Sequence, residues 1–342
     1  MAIISSPADI ASVQTLAGCE PDRIPAHVFE SDVPIVLEGL VAEWPAVKAC
    51  SQSLASAATY LSGFWSEKPV TVTAGQPEIK GRFFYDEDCT GFNFVRGGAP
   101  LPLVFQKLSE QPDDESAQSI YVGCASLEQW FPGFRLHNDL TVPRDDVAVN
   151  AWLGNRSRIS AHFDFPDNIA CVVSGRRRFT LFPPDQVANL YIGPLDVTPA
   201  GQAISLVDFA DPDYDRFPRF EKALQASITC ELEPGDAIFI PSMWWHHVES
   251  LSTFNMLVNY WWCSTPEVMG APLDAIMHAI LSIREMPRSQ RDKWKALFDH
   301  YVFSADETTY AHIPEAGRGC LAPLDDAAAR KLRRYLASRF GQ

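Results

Sequence analysis

The sequence predicts a mainly β fold of the jelly-roll type, with α/β elements before it and helices after it. Three observations lead to this prediction. Between residues 119 and 265 the chain alternates short runs of β-branched and aromatic residues with turns rich in Gly, Pro and Asn. One segment, 185–226, is too long for a hairpin loop, so we expect a functional insertion there. After Pro266 the apolar residues change to helical spacing.

The first segment, residues 1–118, is predicted to supply α/β elements that flank the barrel. Its strands and helices are expected at 34–40, 51–61, 69–73 and 101–108. The second segment, residues 119–265, is the predicted β core. We expect seven strands in it, at 119–122, 147–153, 170–173, 178–182, 227–232, 237–240 and 256–262. Many short strands separated by turns are typical of a sandwich or barrel, and a metal-bearing jelly roll fits this pattern best.

The third segment, residues 266–342, is predicted to be helical. Its apolar residues form two stripes at helical spacing, one of Val268, Leu273, Ile276, Met277, Ile280 and Leu281 and one of Trp294, Leu297, Phe298 and Tyr301. Stripes of this width need cover, because large exposed apolar patches are rare on monomeric proteins. Packing of the helices on the barrel or on each other satisfies the pattern.

Composition narrows the classes of partner. The 43 acidic and 28 basic residues give a net charge of −15, which disfavours broad binding to nucleic acid or to anionic membranes. We therefore expect no nucleic-acid partner and no membrane association. The eight cysteines are scattered without a C-x-x-C pair, and neither a signal peptide nor a long apolar span is recognisable. Reduced thiols and a cytoplasmic location are the expectation.

Three residues are candidate metal ligands. On a β-strand, residues i and i+2 point to the same face, so His162 and Asp164 can bind one ion together. His246 follows a turn, a buried strand and a proline stop at 234–241, which brings it to the rim of the same sheet system. Two imidazoles and one carboxylate on one side of an ion are typical of non-haem Fe(II) oxygenases. The alternative is a core or surface histidine beside a turn aspartate.

The neighbouring His247 should project to the other face of a regular strand. It could support the ligands, gate the site or simply lie at its rim. The surrounding sequence contains longer motifs, namely Pro34-Ile-Val-Leu-Glu-Gly-Leu-Val-Ala-Glu-Trp-Pro45, Ala161-His-Phe-Asp164, Phe182-Pro-Pro-Asp-Gln186, Pro234-Gly-Asp-Ala-Ile-Phe-Ile-Pro241, Trp244-Trp-His-His-Val-Glu-Ser250 and Val258-Asn-Tyr-Trp261. Through these motifs the chain resembles the cupin-type JmjC oxygenases over about residues 30–265. Among them it is similar to the asparaginyl hydroxylase that inhibits hypoxia-inducible factor.

The resemblance implies a double-stranded β-helix that holds Fe(II) through the three candidate ligands and uses 2-oxoglutarate and O2. The far carboxylate of 2-oxoglutarate needs a cation, and strand alternation allows Arg177 to face inward between Arg176 and Arg178. The alternative is that all three arginines form a solvated strand end. A lysine occupies the position of Arg177 in the relatives, so this chain keeps the charge and changes its geometry.

The resemblance also assigns further residues to the co-substrate site. Tyr121 matches a tyrosine that contacts the far carboxylate, Asn168 and Asn259 match pocket asparagines, and Trp261 matches an aromatic wall. Ile159 stands where the relatives have a threonine, which removes one expected hydrogen bond. The resemblance further implies that the C-terminal helices form a homodimer.

The leading functional hypothesis is a dioxygenase that hydroxylates a protein or peptide side chain and releases succinate and CO2. A small-molecule or RNA oxygenase of the same fold is an alternative, because one fold hosts many substrates. A non-catalytic, metal-binding cupin that acts as a sensor or scaffold is another, and the two departures from the family pattern motivate it. A zinc enzyme with the same ligands would leave the predicted cation site unexplained.

Overall fold

A computed structural model describes residues 11–199 and 201–340. It divides the chain into two compact units, Met1–Cys263 and Ser264–Gln342. The start of the chain, on which the expected absence of a signal peptide depends, lies outside the described residues. Among the described residues, no helix is both long enough and apolar enough to span a bilayer.

The first unit contains two β-sheets with apolar side chains between them, which confirms the predicted fold class. Its strands are β1 (Ala11–Ser12), β2 (Gln14–Ala17), β3 (Ile35–Glu38), β4 (Val70–Gly75), β5 (Arg82–Phe83), β6 (Val95–Ala99), β7 (Ser119–Ser126), β8 (Ala148–Gly154), β9 (Ser157–His162), β10 (Asp167–Ser174), β11 (Arg177–Phe182), β12 (Ile228–Leu232), β13 (Ala237–Ile240), β14 (Trp245–Ser250) and β15 (Asn255–Trp262). The larger sheet has the order β2-β3-β13-β10-β15-β8-β7-β4-β6. The smaller sheet has the order β1-β12-β11-β14-β9-β5.

Nine α-helices occur in the described parts of the chain. The first unit contains α1 (Ala26–Phe29), α2 (Pro45–Cys50), α3 (Leu54–Ser62), α4 (Leu101–Ser109), α5 (Leu127–Trp130) and α6 (Phe220–Ala226). The second unit contains α7 (Pro272–Ser282), α8 (Arg288–Phe298) and α9 (Asp326–Phe340). The predicted C-terminal helices are therefore present. In the first unit, helix α3 begins after Ser53, whose side chain accepts a hydrogen bond from the backbone N–H of Ser56 and so caps the helix.

Strand β10 explains how the core is divided. Side chains alternate between the two faces of a strand. Ala170 and Val172 pack in the apolar cluster between the two sheets, together with Leu181 from β11. Ile169 and Cys171 belong instead to the larger cluster that includes residues of α2, α3, α4 and α5. Because both faces are buried, β10 reads as a nearly continuous apolar run in the sequence.

The N-terminal segment does more than flank the barrel. Strands β1 and β5 pair with β12 and β9 in the smaller sheet, whereas β3 pairs with β13 and β4 with β7 in the larger sheet. Two strands of the smaller sheet, β9 and β14, are absent from the seven that we predict. Their polar and charged residues, which include Arg158 and Glu249, interrupt the apolar pattern that marks a buried strand.

The 185–226 segment contains helix α6 and a short antiparallel bridge between Ile192 and Ser205. Its residues Leu190 and Phe220 form a third apolar cluster with Phe182 and Trp245 of the smaller sheet. Trp245 neighbours His246 along β14 and therefore points to the opposite face. The insertion thus covers the outer face of the smaller sheet.

The second unit exposes much of its apolar surface. No residue of α7 or α8 is buried. Leu281 is 77% exposed, and Val302 and Phe303 after α8 are 60% and 76% exposed. Leu281 belongs to the first apolar stripe that the sequence predicts, and Val302 and Phe303 follow the second.

Candidate metal centre and co-substrate site

The three candidate metal ligands lie together. His162 is the last residue of β9, and His246 is the second residue of β14. These strands pair antiparallel with His246 directly opposite His162, and the centroids of the two rings are 4.3 Å apart. Asp164 brings Oδ2 to 3.5 Å from His246 Nε2. One ligand atom from each residue lies within 4.8 Å of the other two, which is the arrangement a shared ion requires.

Backbone carbonyls set the orientation of both imidazoles. His162 Nδ1 lies 3.0 Å from the carbonyl oxygen of Ser160, and His246 Nδ1 lies 3.0 Å from that of Trp244. A carbonyl accepts only, so each Nδ1 carries the proton and donates it. With Nδ1 donating, Nε2 is the ring nitrogen that binds a metal in the neutral imidazole, and in His246 this atom faces the Asp164 carboxylate at 3.5 Å. The donor set therefore fits a divalent ion.

Asp164 is held differently from the sequence expectation. Strand β9 ends at His162, so Asp164 lies in the loop that follows and not on a regular strand. The turn before β14 anchors that loop: the backbone N–H of Met243 donates to the carbonyl of Asp164 at 2.9 Å. The hydroxyl of Ser242 also donates to the carbonyl of Phe165 at 2.5 Å. These contacts replace the strand geometry in positioning the carboxylate.

Burial and mutual charge shift the pKa values of the triad. Burial, together with the neighbouring His246, lowers the pKa of His162 to about 4. Burial also acts to lower the pKa of His246, but the hydrogen bond and charge of Asp164 outweigh it and leave that pKa raised. The two imidazoles in turn hold the pKa of Asp164 below its ordinary value, although burial acts to raise it. The carboxylate is thus ionised at neutral pH, as a metal ligand must be.

The triad opens into a cavity of about 520 Å³ between the two sheets. The predicted co-substrate residues Tyr121, Arg177, Asn168, Asn259 and Trp261 all line this cavity. The structure therefore places every predicted site residue around one space. A cavity of this size is large enough for a small ligand with room for part of a larger substrate.

Arg177 lies in the interior. It is the first residue of β11 and only 3% exposed, whereas Arg176 and Arg178 lie toward the surface and pair with Glu231. No carboxylate of the described residues forms an ion pair with Arg177. Its Nε has no hydrogen-bond partner among them, and its Nη2 reaches the carbonyl of Trp152 only at 3.5 Å. Burial lowers its pKa to about 10.

An unpaired buried guanidinium is costly, because a charge removed from water needs a partner. Tyr121 stands close enough to Arg177 for the two to influence each other's ionisation, and burial raises the pKa of Tyr121. The phenol ring also packs against Phe83 and Trp152, with centroids 5.7 and 6.2 Å away. We call the part of the cavity wall around the buried Arg177 its closed end. A guanidinium and a phenol there fit the far carboxylate of 2-oxoglutarate.

The two asparagines form a short polar chain. Asn259 Nδ2 donates to Asn168 Oδ1 at 3.3 Å, across the paired strands β15 and β10. The indole Nε1 of Trp152 donates to Asn259 Oδ1 at 2.7 Å. Trp261 meets Trp152 edge to face, with ring centroids 5.6 Å apart. Trp152 therefore orients both the asparagines and the aromatic wall, a role that the sequence does not indicate.

A hydroxyl is present beside the threonine position that Ile159 occupies. Both Ile159 and Ser160 line the cavity, and the buried Oγ of Ser160 has no partner among the described residues. The register between β14 and β9 shifts between the pairs His246/His162 and Val248/Ile159. Such a bulge changes which side chains point inward.

His247 lies outside this cavity, on the opposite face of β14. It is buried and stacks on Phe209 of the insertion, with ring centroids 4.3 Å apart. Burial lowers its pKa to about 3, helped by the charges of Arg158 and Arg82. Its contacts place it between the smaller sheet and the insertion, so neither a gate nor a rim position describes it.

The sequence reasoning missed the part of the cavity wall that comes from outside the predicted core. Thr73 of β4 and Phe83 of β5, both buried, line the cavity together with Phe94, just before β6, and Arg96 of β6, whose exposure marks the mouth. Gln202 of the insertion joins them. Phe83 and Arg96 lie on β5 and β6, short strands without a strong apolar pattern, whereas Thr73 lies on a strand that the sequence predicts. Only their pairing with β7 and β9 brings them to the site.

Comparisons with known proteins agree with this geometry. The family model described as a cupin-like domain matches residues 21–267, more than two thirds of the chain. The chain is 28% identical over 315 residues to the tRNA wybutosine-synthesizing protein 5 of Mus musculus, covering 82% of this chain and 91% of that protein.

Other relatives bear the names of demethylases. The chain is 26% identical over 249 residues to lysine-specific demethylase 8 of Xenopus tropicalis, covering 69% of this chain and 49% of that protein. It is 36% identical over 118 residues to lysine-specific demethylase JMJ31 of Arabidopsis thaliana, which covers 34% of this chain and 21% of that protein. The extent of the family match and the agreement of these relatives support one conclusion. The chain belongs to the cupin-like domain family, as a protein of the JmjC oxygenase type.

Proposed function

We propose that the protein is a 2-oxoglutarate- and Fe(II)-dependent dioxygenase that hydroxylates a side chain of a protein or peptide. One observation carries the proposal. The two histidines and the aspartate share a single cavity with Arg177, a buried cation that has no anionic partner among the described residues. A metal-binding protein that takes up no anionic small molecule would have no use for a buried cation in this cavity.

His162, Asp164 and His246 would hold the ion. Two imidazoles and a carboxylate that occupy one side of a metal leave its other positions open, and Fe(II) in non-haem oxygenases has this environment. A zinc site with the same donors would leave Arg177 and Tyr121 without a ligand. The donor set and the buried cation together favour iron with an oxo-acid.

Arg177 and Tyr121 would bind the far carboxylate of 2-oxoglutarate. The planar guanidinium can donate two parallel hydrogen bonds to a carboxylate, which an ammonium group cannot do. Asn168 and Asn259, oriented by Trp152, offer amide groups on the wall of the same cavity. These residues orient the co-substrate.

When bound together, Fe(II), 2-oxoglutarate and O2 supply an oxidation that yields succinate and CO2 and places one oxygen atom in a C–H bond of the substrate. The protein supplies position and a dry environment. Ile159, Phe179 and Leu257 form apolar walls that keep water from the reacting atoms. The loop contacts hold the Asp164 carboxylate beside the cavity, where it would help to bind the ion.

Binding and turnover test this proposal separately. Calorimetry should detect one 2-oxoglutarate per chain in the presence of Mn(II), which occupies such sites without turnover. With Fe(II), a pool of peptides should raise succinate release above the level without peptide, and mass spectrometry should find a gain of one oxygen atom. Absence of 2-oxoglutarate binding to a metal-loaded protein would contradict the proposal and favour a sensor or scaffold.

An RNA substrate is a second candidate. The match to the mouse tRNA wybutosine-synthesizing protein 5 extends over 91% of that protein, so the similarity covers nearly its whole length. The net charge of −15 opposes extensive contact with a polyanion. Incubation with a total tRNA pool in place of peptides discriminates the two. A gain of oxygen in a nucleoside, without modification of any peptide, would replace the protein substrate with RNA.

We also propose that the chain forms a homodimer through its C-terminal helices. The exposed apolar residues of α7, α8 and the turn after α8 support this proposal, because a second copy would cover them. Light scattering on the full chain measures the dimer directly.

The eight cysteines are all unpaired, which supports a reducing, cytoplasmic location.

A further inference from the structure

Arg96 is a charged residue at the mouth of the cavity. It lies on β6 directly opposite Thr73 of β4, and both residues line the cavity that contains the triad. The residue is exposed to solvent, unlike Arg177 at the closed end. A cation at this position meets whatever enters the cavity.

Arg96 is held in place without an acidic partner. Its Nη2 donates to the carbonyl of Pro199 at 2.7 Å, and its Nε lies 3.4 Å from the hydroxyl of Thr73. Its guanidinium also lies 5.5 Å from the centre of the Phe94 ring. Within the described part of the chain, no carboxylate forms an ion pair with it. A guanidinium has five N–H groups, so several donors remain available to a ligand.

The other charges of the cavity wall already have roles. Asp164 belongs to the proposed metal site, and Arg177 belongs to the proposed co-substrate site. Arg96 is the remaining Asp, Glu, Lys or Arg among the described lining residues. In a chain with 43 acidic and 28 basic residues, an unpaired and oriented arginine at this place is a specific feature.

The backbone beside Arg96 is suited to an extended peptide. Strand β6 is an edge of the larger sheet, and Val95 is 72% exposed. A Cβ atom added to Gly97 would meet nothing within 4 Å, so space is open along the strand. An edge strand offers free N–H and C=O groups to which an extended peptide can add as a further strand.

We propose that Arg96 determines substrate specificity by binding the carboxylate of an acidic residue in the peptide substrate while the segment lies along β6. This inference rests on the proposed function and extends it to the class of substrate. A charge-assisted hydrogen bond to a carboxylate gives both strength and direction, so the acidic residue sets which neighbouring side chain reaches the metal.

A peptide fits these features better than RNA. Binding to RNA depends on several phosphate contacts made together by a basic surface. The mouth supplies one arginine, beside threonines and aromatic rings, on a strongly acidic chain. One carboxylate on an extended segment needs only that single cation. Modification of tRNA is accordingly an outcome that would overturn the inference.

The test uses the full chain loaded with Mn(II) and N-oxalylglycine, an unreactive mimic of 2-oxoglutarate. Its probe is a library of capped dodecapeptides in which each position in turn is Asp, Asn, Ser or Lys. We expect the wild-type protein to prefer Asp over Asn at one position by about tenfold or more. Arg96→Gln should remove this preference, Arg96→Glu should favour Lys instead, and Arg96→Lys should keep a weaker preference for Asp.

Arg219→Gln is the matched control. Arg219 is also exposed, donates to a backbone carbonyl (that of Ala188, at 3.0 Å) and lies 4.4 Å from the centre of the Tyr191 ring, but it does not line the cavity. It should keep the wild-type preference. The inference is overturned if Arg96→Gln retains the preference for Asp, or if the wild-type protein has none. It is also overturned if Arg96→Glu weakens binding of a total tRNA pool and of no peptide.

Calorimetry with 2-oxoglutarate separates this result from a failure of the proposed function. Arg96→Gln and Arg96→Glu should bind 2-oxoglutarate as the wild type does, because Arg177 provides that contact. If the wild-type protein does not bind 2-oxoglutarate, the proposed function fails. If it binds 2-oxoglutarate and selects peptides without regard to acidic residues, only the specificity inference fails. The melting temperature of each variant checks that the loss of the Pro199 contact leaves the fold intact.

Discussion

The two ends of the cavity each contain an arginine, and the two arginines are placed in opposite ways. Arg177 at the closed end is 3% exposed and forms no ion pair with any described carboxylate, whereas Arg96 at the mouth is exposed and held by Pro199. A cation that has lost its hydration suits one fixed dianion, because an incorrect ligand leaves the charge unpaired. A hydrated cation contributes less affinity but selects among partners by charge. The difference separates co-substrate binding from substrate choice.

The most severe way to break this division is to remove His246, one of the three proposed metal ligands on the cavity wall. His246→Ala should lower turnover roughly a thousandfold or more and abolish tight Mn(II) binding, because two donors cannot hold the ion in the required geometry. Succinate release and calorimetry measure the two effects. His137→Ala, a change at an exposed histidine away from the cavity, should leave both unchanged. Normal metal binding by His246→Ala would remove this residue from the site.

The closed end is tested by Arg177→Gln. Loss of the charge should weaken 2-oxoglutarate binding by about 10- to 100-fold, since hydrogen bonds between charged groups contribute roughly 1.5–3 kcal/mol. Arg177→Lys should retain more of the affinity than Arg177→Gln, because the charge remains. Calorimetry in the presence of Mn(II) gives the dissociation constants.

The control for the closed end is Arg178→Gln, which removes a surface arginine that pairs with Glu231. Its affinity for 2-oxoglutarate should stay at the wild-type value. Equal affinities for Arg177→Gln and the wild type would show that the buried cation serves the fold and not the co-substrate.

A smaller effect on 2-oxoglutarate affinity is expected when Trp152, the residue that orients Asn259, is changed. Trp152→Phe keeps the aromatic packing but removes the N–H that donates to Asn259. The loss of one hydrogen bond of about 1 kcal/mol should weaken 2-oxoglutarate binding by about fivefold. Trp130→Phe is the matched control, because that indole also donates to an oxygen, the carbonyl of Pro69, but lies outside the cavity. If the two variants lose affinity equally, the role of Trp152 is structural.

The smallest effect on the site should come from a change in the C-terminal unit. Leu281→Glu introduces a charge into the exposed stripe of α7 and should shift the molar mass from twice 38.0 kDa to that of one chain. Light scattering measures the mass, and binding of 2-oxoglutarate should be retained. Leu136→Glu, at a leucine that is 82% exposed in the first unit, should leave the dimer intact. A wild-type protein that is monomeric at high concentration would contradict the homodimer.

The sequence was most informative where local pattern and burial agree. The run Ala170 to Val173 predicts a strand correctly because both of its faces are buried and therefore apolar. Strand β9 escapes the same reasoning because polar residues interrupt it, and its pairing with β14 provides the stability that its own pattern does not reveal. Strand β6 is missed for a related reason, since an edge strand with two glycines has a weak propensity of its own.

By itself, the sequence determined the chemistry of the site: two imidazoles, a carboxylate, a buried-strand arginine and a tyrosine within a recognisable β core. The spacing of His162 and Asp164 and the strand alternation at Arg177 carry part of that information, whereas the roles of His246 and Tyr121 rest on the resemblance to the JmjC oxygenases. Only the tertiary structure decided that Trp152 orients Asn259 and that Arg96 stands at the mouth. Both placements depend on pairing between strands far apart in sequence, and the energy that selects such pairings is distributed over the whole core.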